Sequence, residues 1–393
     1  MAKGVYIGVS GVARKVKKMY IGVGGVARQV KKAYIGVGGV ARPFWSSELA
    51  YYGTATDLST HHRNGAATTV GNYALFGGGG DNYDTTGIAS VDAYNTSLSR
   101  STPSILQGNS YDLSATTVGS YALFAGGRYW YSGGYSVDNA YVTAYNASLT
   151  KNTPANLSYA RYGMGAATIG NYALFAGGDG SFGLNGTVET YNTSLTKSSA
   201  NALSQLRVYI PTTTVGDYAI FGPSYGQYTT SQTTANAYNS SLTQTICTTR
   251  YGRMQYTATT SVGNYAIFAG YGSNSTTTVS YAYGLVDAFN GSLTYQTLPS
   301  LSVKRTGMGA TTVGDYALFG GGWTEAETNG VANMETFDSS LTMAISTNLS
   351  EARISPLAAT VGSYALFASG YNYTQNENVF IANNLTTVDV YTA

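Results

Sequence analysis

The sequence predicts an all-β fold, a β-propeller of seven blades, on three observations. The phrase Y-A-[LI]-F occurs seven times, beginning at Tyr73, Tyr121, Tyr172, Tyr218, Tyr265, Tyr316 and Tyr364. The intervals between these tyrosines are 48, 51, 46, 47, 51 and 48 residues. Glycine follows most copies of the phrase, often as a pair. A period of about 50 residues with glycine pairs after an apolar run is typical of rings of four-stranded sheets.

The first two strands of each repeat are separated by a two-residue break. In the third repeat, residues 166–169 are a short β-prone run, Gly170-Asn171 is the break, and the repeated phrase begins at Tyr172. Glycine followed by a small polar residue fits a type I′ or II′ hairpin turn, because a positive φ carries no steric cost for glycine. The second strand is apolar on both faces, so we expect it to lie between neighbouring blades.

The third strand ends in an aromatic residue, and six of the seven copies run into the motif [ND]-x-S-L. The aromatic positions are Tyr94, Tyr145, Tyr191, Tyr238, Phe289, Phe337 and Tyr391. The Asn or Asp predicts a turn supported by its side chain, which also accounts for the recurring N-x-S/T sequences. A fourth strand is expected after this turn.

The two ends of the repeated region complete each other. The seventh repeat stops after its third strand, while residues 51–58, before the first repeat, carry a fourth-strand pattern. We therefore expect this N-terminal strand to complete the last blade and remove an exposed sheet edge. The predicted propeller domain spans residues 46–393.

Composition narrows the possible classes of protein. The chain has 393 residues, of which 43% are hydrophobic and only 10% are charged, with 49 Gly and 36 Tyr. The single cysteine, Cys247, excludes an intrachain disulfide framework. No apolar run is long enough to span a membrane, and glycine interrupts the N-terminus too often for a secretory signal. We expect neither membrane insertion nor general secretory export.

Residues 1–45 form a separate basic arm. They contain nine Lys or Arg residues and no acid, whereas the remaining chain has twelve bases and nineteen acids, a net charge of −7. The arm repeats Y-I-G-V-x-G-V-A-R-x-V-K-K from Tyr6 and Tyr20, with a shortened copy from Tyr34. Each copy predicts a strand, a tight turn and a strand, which is too small a unit to bury a core alone.

The arm is therefore predicted to dock onto another protein. The predicted docking residues are Tyr6, Arg14, Lys17, Lys18, Tyr20, Arg28, Lys31, Lys32, Tyr34 and Arg42. Two alternatives stay open at the level of sequence. Basic residues interleaved with tyrosine could bind nucleic acid, although the apolar positions repeat as faithfully as the lysine pairs. The glycine content could also leave the arm disordered.

The connections between second and third strands vary most and have the composition of a binding surface. Tyr, Trp, Ser, Gly and Asn give broad contact at low entropic cost. The predicted ligand-binding residues are Tyr129, Trp130, Tyr131, Tyr135, Tyr225, Tyr228, Tyr271, Tyr283, Trp323, Tyr371 and Tyr373. By strand parity these connections emerge on one face, which suits recognition of a glycan or a protein. The alternative is that the tyrosines pack on each other and close the end of the ring.

An arginine also recurs shortly before the first strand of most repeats, at Arg63, Arg161, Arg207, Arg253, Arg305 and Arg353. These arginines could hold an acidic ligand at the channel mouth. The alternative, favoured by their regular recurrence, is that each donates to loop carbonyls and fastens adjacent blades.

Taken together, these residues resemble the kelch repeat: an Arg, an inner strand, a turn, an aromatic-apolar strand ending in Gly-Gly, then V-x-x-Y-[ND]. The doublets are Gly77-Gly78, Gly126-Gly127, Gly177-Gly178 and Gly320-Gly321; repeats four, five and seven depart, and the kelch Trp is absent. The resemblance implies a kelch-like seven-bladed propeller and says little about activity.

Some kelch-type propellers are copper-radical oxidases, which need a Cys crosslinked to Tyr and His ligands. Here only Cys247, His61 and His62 are available, and the two histidines are adjacent, so they point to opposite faces of a strand. No Ser-His-Asp set or phosphate loop is present either. Kelch-like sugar isomerases use scattered polar residues, which keeps a carbohydrate-active enzyme as a minor alternative. We expect no enzymatic activity, no metal and no cofactor.

The arm resembles short basic repeats of structural and tail proteins from phages and prophages of Gram-positive bacteria. This resemblance implies a multicopy virion protein, assembled in the bacterial cytoplasm, as a tail fibre, baseplate or capsid decoration. The arm would contact other virion proteins, and the propeller would bind a host-surface glycan or protein. A free-standing kelch lectin or interaction module is the alternative.

Overall fold

The computed structural model describes residues 48–80, 87–131, 135–226, 233–249, 256–274, 280–325, 330–376 and 379–393, together with six strands of the arm. The arm strands pair as three antiparallel hairpins: Tyr6–Val9 with Val12–Lys15, Met19–Val23 with Val26–Val30, and Lys32–Val37 with Val40–Ser46. The predicted turns at residues 10–11, 24–25 and 38–39 lie outside the described residues. The predicted pairing of two strands within each arm repeat is therefore present.

Residues 50–393 contain seven four-stranded antiparallel sheets, the blades of a seven-bladed β-propeller, which confirms the predicted fold class. The inner strands are Ala66–Val70, Ser114–Val118, Gly165–Ile169, Thr212–Val215, Ala258–Val262, Gly309–Val313 and Leu357–Val361. The second strands are Tyr73–Gly77, Tyr121–Ala125, Tyr172–Ala176, Tyr218–Phe221, Tyr265–Asn274, Tyr316–Gly320 and Tyr364–Ala368. Blades 1 to 7 are numbered in this order.

The third strands are Val91–Asn95, Val142–Asn146, Val188–Asn192, Thr234–Tyr238, Ser280–Asn290, Met334–Asp338 and Val388–Thr392. The outer strands of blades 1 to 6 are Arg100–Ser101, Lys151–Asn152, Lys197–Ala200, Gln244–Thr248, Tyr295–Leu298 and Met343–Ile345. Blade 7 takes its outer strand from the front of the chain, because Ala50–Ala55 pairs with Val388–Thr392. The incomplete seventh repeat predicts this pairing.

Three further pairs of strands lie on connections. Arg128–Tyr131 pairs with Tyr135–Asp138 in blade 2, and Tyr371–Asn376 pairs with Val379–Asn384 in blade 7. The short strands Arg207–Val208 and Tyr225–Gly226 pair in blade 4.

Alternation along the second strand explains how neighbouring blades pack. In blade 1, Phe76 and Tyr94 face blade 7, whereas Leu75 packs against Phe124 and Tyr145 of blade 2. Each blade therefore presents large aromatic residues on one face and small aliphatic residues on the other. Phe76 and Leu75 are both fully buried, as a sheet between two blades requires. Alanine in place of such a buried Phe costs about 3–5 kcal/mol of stability.

The tight turns are of two kinds. The glycine of each two-residue break has a φ between 53° and 58°, and the polar residue after it has no positive φ, which is the type II′ pattern. In the [ND]-x-S-L turns, the Asn or Asp side chain accepts two backbone N–H groups, as Asn95 Oδ1 does from Ser97 and Ser99 at 2.9 and 3.0 Å. The predicted side-chain support is confirmed. The leucine of this motif takes a left-handed φ, 60° at Leu98.

The recurring arginines tie each blade to its own entry segment. Arg161 contacts Glu189 at 2.9 Å and Arg353 contacts Asp389 at 2.9 Å, with all four side chains buried. Arg305 pairs with Glu335, and Arg207 donates to the Asn236 side chain at 2.6 Å. The predicted bonds to carbonyls are present, for example from Arg207 to Gly222 at 2.8 Å.

The side chains bond within their own blade, which differs from the predicted fastening of adjacent blades through the side chain. The residues nevertheless join adjacent blades, because the backbone carbonyl accepts an N–H from the preceding blade, as Arg161 does from Gly127 at 2.9 Å and Arg353 from Gly322 at 2.8 Å. Arg63 also departs from the predicted series. In blade 1 the arginine position belongs to His62, whose Nε2 lies 3.1 Å from Asp92, and Arg63 is the next residue. Arg253 lies outside the described residues.

Candidate binding face at the mouth of the channel

The two ends of the propeller differ in what they present. Strands alternate in direction, so the type II′ turns and the [ND]-x-S-L turns all lie at one end, called here the turn end. The connections from second to third strands, and from each outer strand to the next inner strand, lie at the other end, called here the loop end. The predicted ligand-binding residues described by the structure are on loop-end connections or at their edges, as strand parity requires.

Backbone hydrogen bonds between neighbouring blades line the loop end of the propeller. In the segment that enters each inner strand, a residue two or three positions before the strand has a left-handed φ between 51° and 63°. These residues are Asn64, Asp112, Gly163, Tyr209, Tyr256, Gly307 and Ser355. In blades 2, 3, 4, 6 and 7 the N–H of this residue donates to the carbonyl of its counterpart in the preceding blade, with N···O distances of 2.7 Å from Asp112 to Asn64 and 2.9 Å from Gly163 to Asp112. Only two of the seven are glycine. The contacts between blades therefore hold five residues with side chains in a backbone conformation that is sterically unfavourable for them.

Arg128 of blade 2 is the centre of a side-chain cluster at this mouth. Its guanidinium donates to Asp112 at 2.8 Å and to the Tyr209 hydroxyl at 3.2 Å, and it lies 3.9 Å from the centroid of the Tyr162 ring. Tyr209 also donates to Asp112 at 3.3 Å. Tyr209 belongs to blade 4, so this cluster joins two blades that are not neighbours.

Tyrosine rings continue the cluster around the mouth. The Tyr162 and Tyr209 centroids are 6.1 Å apart, and those of Tyr209 and Tyr256 are 5.9 Å apart. On the other side, Arg63 lies 3.8 Å from the centroid of Tyr371. Cation–π and ring contacts of this kind stabilise the packing beyond simple burial.

The ionisation of these groups follows from their burial. Burial, partly offset by Arg128, raises the pKa of Tyr162 to about 12. Burial, together with the charge of Asp112, raises the pKa of Tyr209 well above its ordinary value. Burial also raises the pKa of Asp112, against the opposing effect of Arg128 and Tyr209. The phenols at the mouth are therefore neutral hydrogen-bonding groups at physiological pH.

The blade 2 hairpin carries four of the predicted ligand-binding residues. Tyr131 and Tyr135 are 51% and 56% exposed, and their ring centroids are 5.5 Å apart. Tyr129 is paired with Val137 and Trp130 with Ser136, so Tyr129 and Trp130 lie on opposite faces of the hairpin. The predicted residues on this hairpin are thus divided between two surfaces.

The other predicted residues differ in accessibility. Tyr271 is buried, with its ring 5.3 Å from that of Tyr283, and Tyr371 stacks with Arg63. Tyr271 and Tyr371 are therefore packed against neighbouring side chains, whereas Tyr283 is 38% exposed. Tyr225 is 40% exposed, and Trp323 is half-buried where it bridges to Thr306.

Part of the prediction lies beyond what the structure describes. Tyr228 lies outside the described residues, as do Lys17, Lys18 and Lys31 of the arm. Of the remaining predicted arm residues only the backbone is described. The docking role of the arm therefore stays a prediction.

Sequence reasoning missed the contribution of the segments that enter the inner strands. Tyr162, Tyr209 and Tyr256 lie there, six or seven residues before the last residue of the inner strand, and they form much of the channel mouth. Tyr162 stands one position further from the end of its inner strand than Tyr209 and Tyr256 do, so the three tyrosines do not align as one repeated position in the sequence. Phe182, on the connection between the second and third strands of blade 3, was also missed, although it is 89% exposed.

No group of three or more His, Cys, Asp or Glu side chains among the described residues could hold a metal ion. His62 is buried between Asp92 and the Gly78 carbonyl, and His61 lies against Asn384. In the part of the chain that the structure describes, no helix is long and apolar enough to cross a membrane.

Comparison with known proteins identifies the fold alone. No known family profile matches the chain, and no curated protein sequence matches it. Among solved structures, the chain is similar to the structure of YjhT, with a TM-score of 0.53 and 10% sequence identity, over 84% of this chain and 99% of that one. At this identity the similarity supports the propeller architecture without extending to activity.

Proposed function

We propose that this protein is a recognition module whose loop end binds a glycan or protein on a cell surface and whose arm attaches it to a larger assembly. The observation that carries the proposal is the contrast between the two ends. The loop end presents aromatic and polar side chains that differ from blade to blade, whereas the turn end repeats the same small polar turns. A surface that varies on a repeated frame is typical of a binding face.

The chemistry of the loop end favours recognition over catalysis. Burial raises the pKa of Tyr162 and of Tyr209, which keeps their hydroxyl groups neutral, and Arg128 is already bonded to Asp112 and Tyr209. Tyr and Trp provide large rigid contact surfaces with hydrogen-bonding edges. Such a surface binds an extended polar ligand weakly at each site. A single-site dissociation constant near 1 mM, about 4 kcal/mol, is sufficient when many copies act together.

The arm supplies the second half of the proposal. Residues 1–45 carry nine positive charges and no acid, and five of these charges lie on the three strand pairs. Such a repeated basic surface suits docking on an acidic protein assembly. Together with the kelch-like character of the blades and the phage-like arm repeat, this favours a multicopy virion protein of a phage or prophage. The tail, the baseplate and the capsid surface are all compatible attachment points, and assembly would take place in the bacterial cytoplasm.

Binding of the full-length protein to an array of bacterial surface polysaccharides tests the outward role. We expect saturable binding to a subset of them, with no release of reducing sugar or other product. A flat response across the array contradicts surface-glycan recognition. Product formation would instead identify an enzyme.

Charge reversal in the arm tests the docking role. The full-length variant replaces Lys17, Lys18, Lys31 and Lys32 by Glu. It should no longer co-sediment with the virion particles, while its glycan binding is unchanged. The control is Lys151→Glu, which changes charge on the propeller instead. Retained co-sedimentation of the arm variant contradicts docking through the arm and favours a free-standing lectin or interaction module.

A further inference from the structure

Within the loop end, we propose that an uncharged saccharide binds between the blade 2 hairpin and the tight turn of blade 3. This inference rests on the proposed function and narrows it to one sector and one ligand class. The sector is formed by Arg128, Trp130, Asp138, Tyr162, Asp179 and Phe182, and is called here the blade 2–3 site.

The hairpin supplies one wall. Arg128 is paired with Asp138 and Trp130 with Ser136, so Arg128, Trp130 and Asp138 share one face of the hairpin. That face is directed to blade 3, because Arg128 lies over Tyr162 and Asp138 accepts a hydrogen bond from Ser181 at 3.1 Å. Trp130 stands two residues beyond Arg128 along the strand, about 7 Å away, and extends the wall outward.

The blade 3 turn supplies the opposite wall. Gly183 donates to the Gly180 carbonyl at 2.7 Å, which closes a tight turn with Phe182 near its tip. Phe182 is 89% exposed, more than any other large hydrophobic residue that the structure describes. Its neighbour Ser181 is bonded to Asp138, so the turn is held against the base of the hairpin. An aromatic ring that is open to solvent on a turn held in this way is a suitable anchor for a ligand.

The floor holds two carboxylates in fixed orientations. Asp179 accepts the Gly180 N–H at 2.9 Å on one oxygen and the Tyr162 hydroxyl at 3.1 Å on the other. Asp138 accepts from Ser181 on one oxygen. Each carboxylate has lone pairs beyond these bonds and can accept further donors. Hydroxyl groups on a sugar ring are donors of this kind, and its C–H faces pack on aromatic rings.

The charge pattern of the floor selects an uncharged ligand. An anionic sugar would meet the carboxylates of Asp138 and Asp179. Burial, and then the charge of Asp179, raises the pKa of Asp138, so further negative charge is disfavoured there. A cationic ligand would be repelled by Arg128, whose positive charge is close enough to Asp138 to lower the pKa of that carboxyl. A neutral polyol can hydrogen-bond to both without either repulsion. A basic peptide is the main competing occupant, and the test below includes it.

The experiment uses the full-length protein and three sets of probes: neutral oligosaccharides, the same backbones carrying uronate groups, and a Lys-rich peptide. Binding is measured for the wild type and for Phe182→Ala, Trp130→Ala and Asp179→Asn. Phe182→Ala cannot disturb the core because its side chain is exposed. Ile345→Ala, an exposed apolar residue on the outer strand of blade 6, is the matched control.

We expect neutral oligosaccharides to bind best, with the dissociation constant raised at least about ten-fold by Phe182→Ala and by Trp130→Ala. Ile345→Ala should bind as the wild type does. Better binding of uronate probes or of the peptide overturns the ligand class. If neutral sugars bind but neither Phe182→Ala nor Trp130→Ala weakens them, the blade 2–3 site is wrong while the proposed function stands. If no probe binds any variant, the proposed glycan recognition fails with it.

Discussion

The repeated frame of the propeller and its loop end are built on opposite rules. In the frame, the same contact recurs blade after blade: a type II′ glycine, an Asn-capped turn, an aromatic pair against a small aliphatic face. At the loop end, equivalent positions carry different residue types. Arg128, Asp179 and Trp323 each form a β-bridge with the segment that enters the inner strand, in blades 2, 3 and 6. The repeated contacts are therefore those that pack the blades, and the positions that differ lie on the surface where we propose recognition.

Alkaline unfolding is the largest effect that this comparison predicts, and it belongs to the frame. Five third-strand tyrosines donate to carbonyls of the entry segments at 2.5 to 2.7 Å: Tyr94, Tyr145, Tyr191, Tyr238 and Tyr391. Burial raises the pKa of each one above its ordinary value of about 10. Folding then favours the protonated phenol.

The sign of the effect follows from linkage. Because the folded pKa exceeds the unfolded one, the stabilisation is complete below pH 10 and is lost as pH rises. We expect the free energy of unfolding to fall steeply above about pH 10, measured by urea titration at several pH values. Tyr391→Phe should make that fall shallower, because it removes one of the titrating hydroxyl groups. Phe fits this position, since blades 5 and 6 have Phe289 and Phe337 there. A flat profile up to pH 12 contradicts the assignment.

Removing one partner of a buried pair should be the next largest effect. Arg305 and Glu335 are both fully buried, so Arg305→Ala leaves an uncompensated carboxylate inside blade 6. We expect a loss of about 3–5 kcal/mol in urea denaturation. The double variant Arg305→Met with Glu335→Leu should recover most of that loss. A single variant that loses less than about 1 kcal/mol would show that the pair is not a necessary part of the frame.

A turn-end glycine should give a smaller loss. Gly119 has a φ of 54°, and a Cβ there would lie 3.0 Å from Thr193 Cγ2 of the next blade. Gly119→Ala should cost about 1–2 kcal/mol in the same assay, through the left-handed conformation and this contact. Ser120→Ala is the control and should change stability by less than about 0.5 kcal/mol. Equal stability of the two variants contradicts the turn geometry.

Loop-end aromatic residues should contribute least to stability. Tyr131 and Phe182 are mostly exposed, so Tyr131→Ala and Phe182→Ala should each shift the free energy of unfolding by less than about 0.5 kcal/mol. Thermal and urea unfolding check this. A loss above about 1 kcal/mol from either variant would assign that residue to the frame instead.

Sequence reasoning reached the frame because the frame repeats. The strand order, the turn supported by Asn95 and the strand taken from residues 50–55 all follow from local patterns that occur several times. The loop end depends on contacts between residues far apart in the chain, such as Arg128 with Tyr209, which no local pattern encodes. His62 in the arginine position of blade 1 shows the same limit, since a single exception to a repeat is visible only once its partner Asp92 is located.

The measurement that tests the central claim most directly compares one variant from each region in the same binding assay. Full-length Phe182→Ala and full-length Gly119→Ala are titrated with the polysaccharide that the wild type binds, at a temperature where both are folded. We predict that Phe182→Ala loses binding at unchanged stability, while Gly119→Ala loses stability at unchanged affinity. Loss of affinity only in Gly119→Ala would place recognition at the turn end and contradict the account.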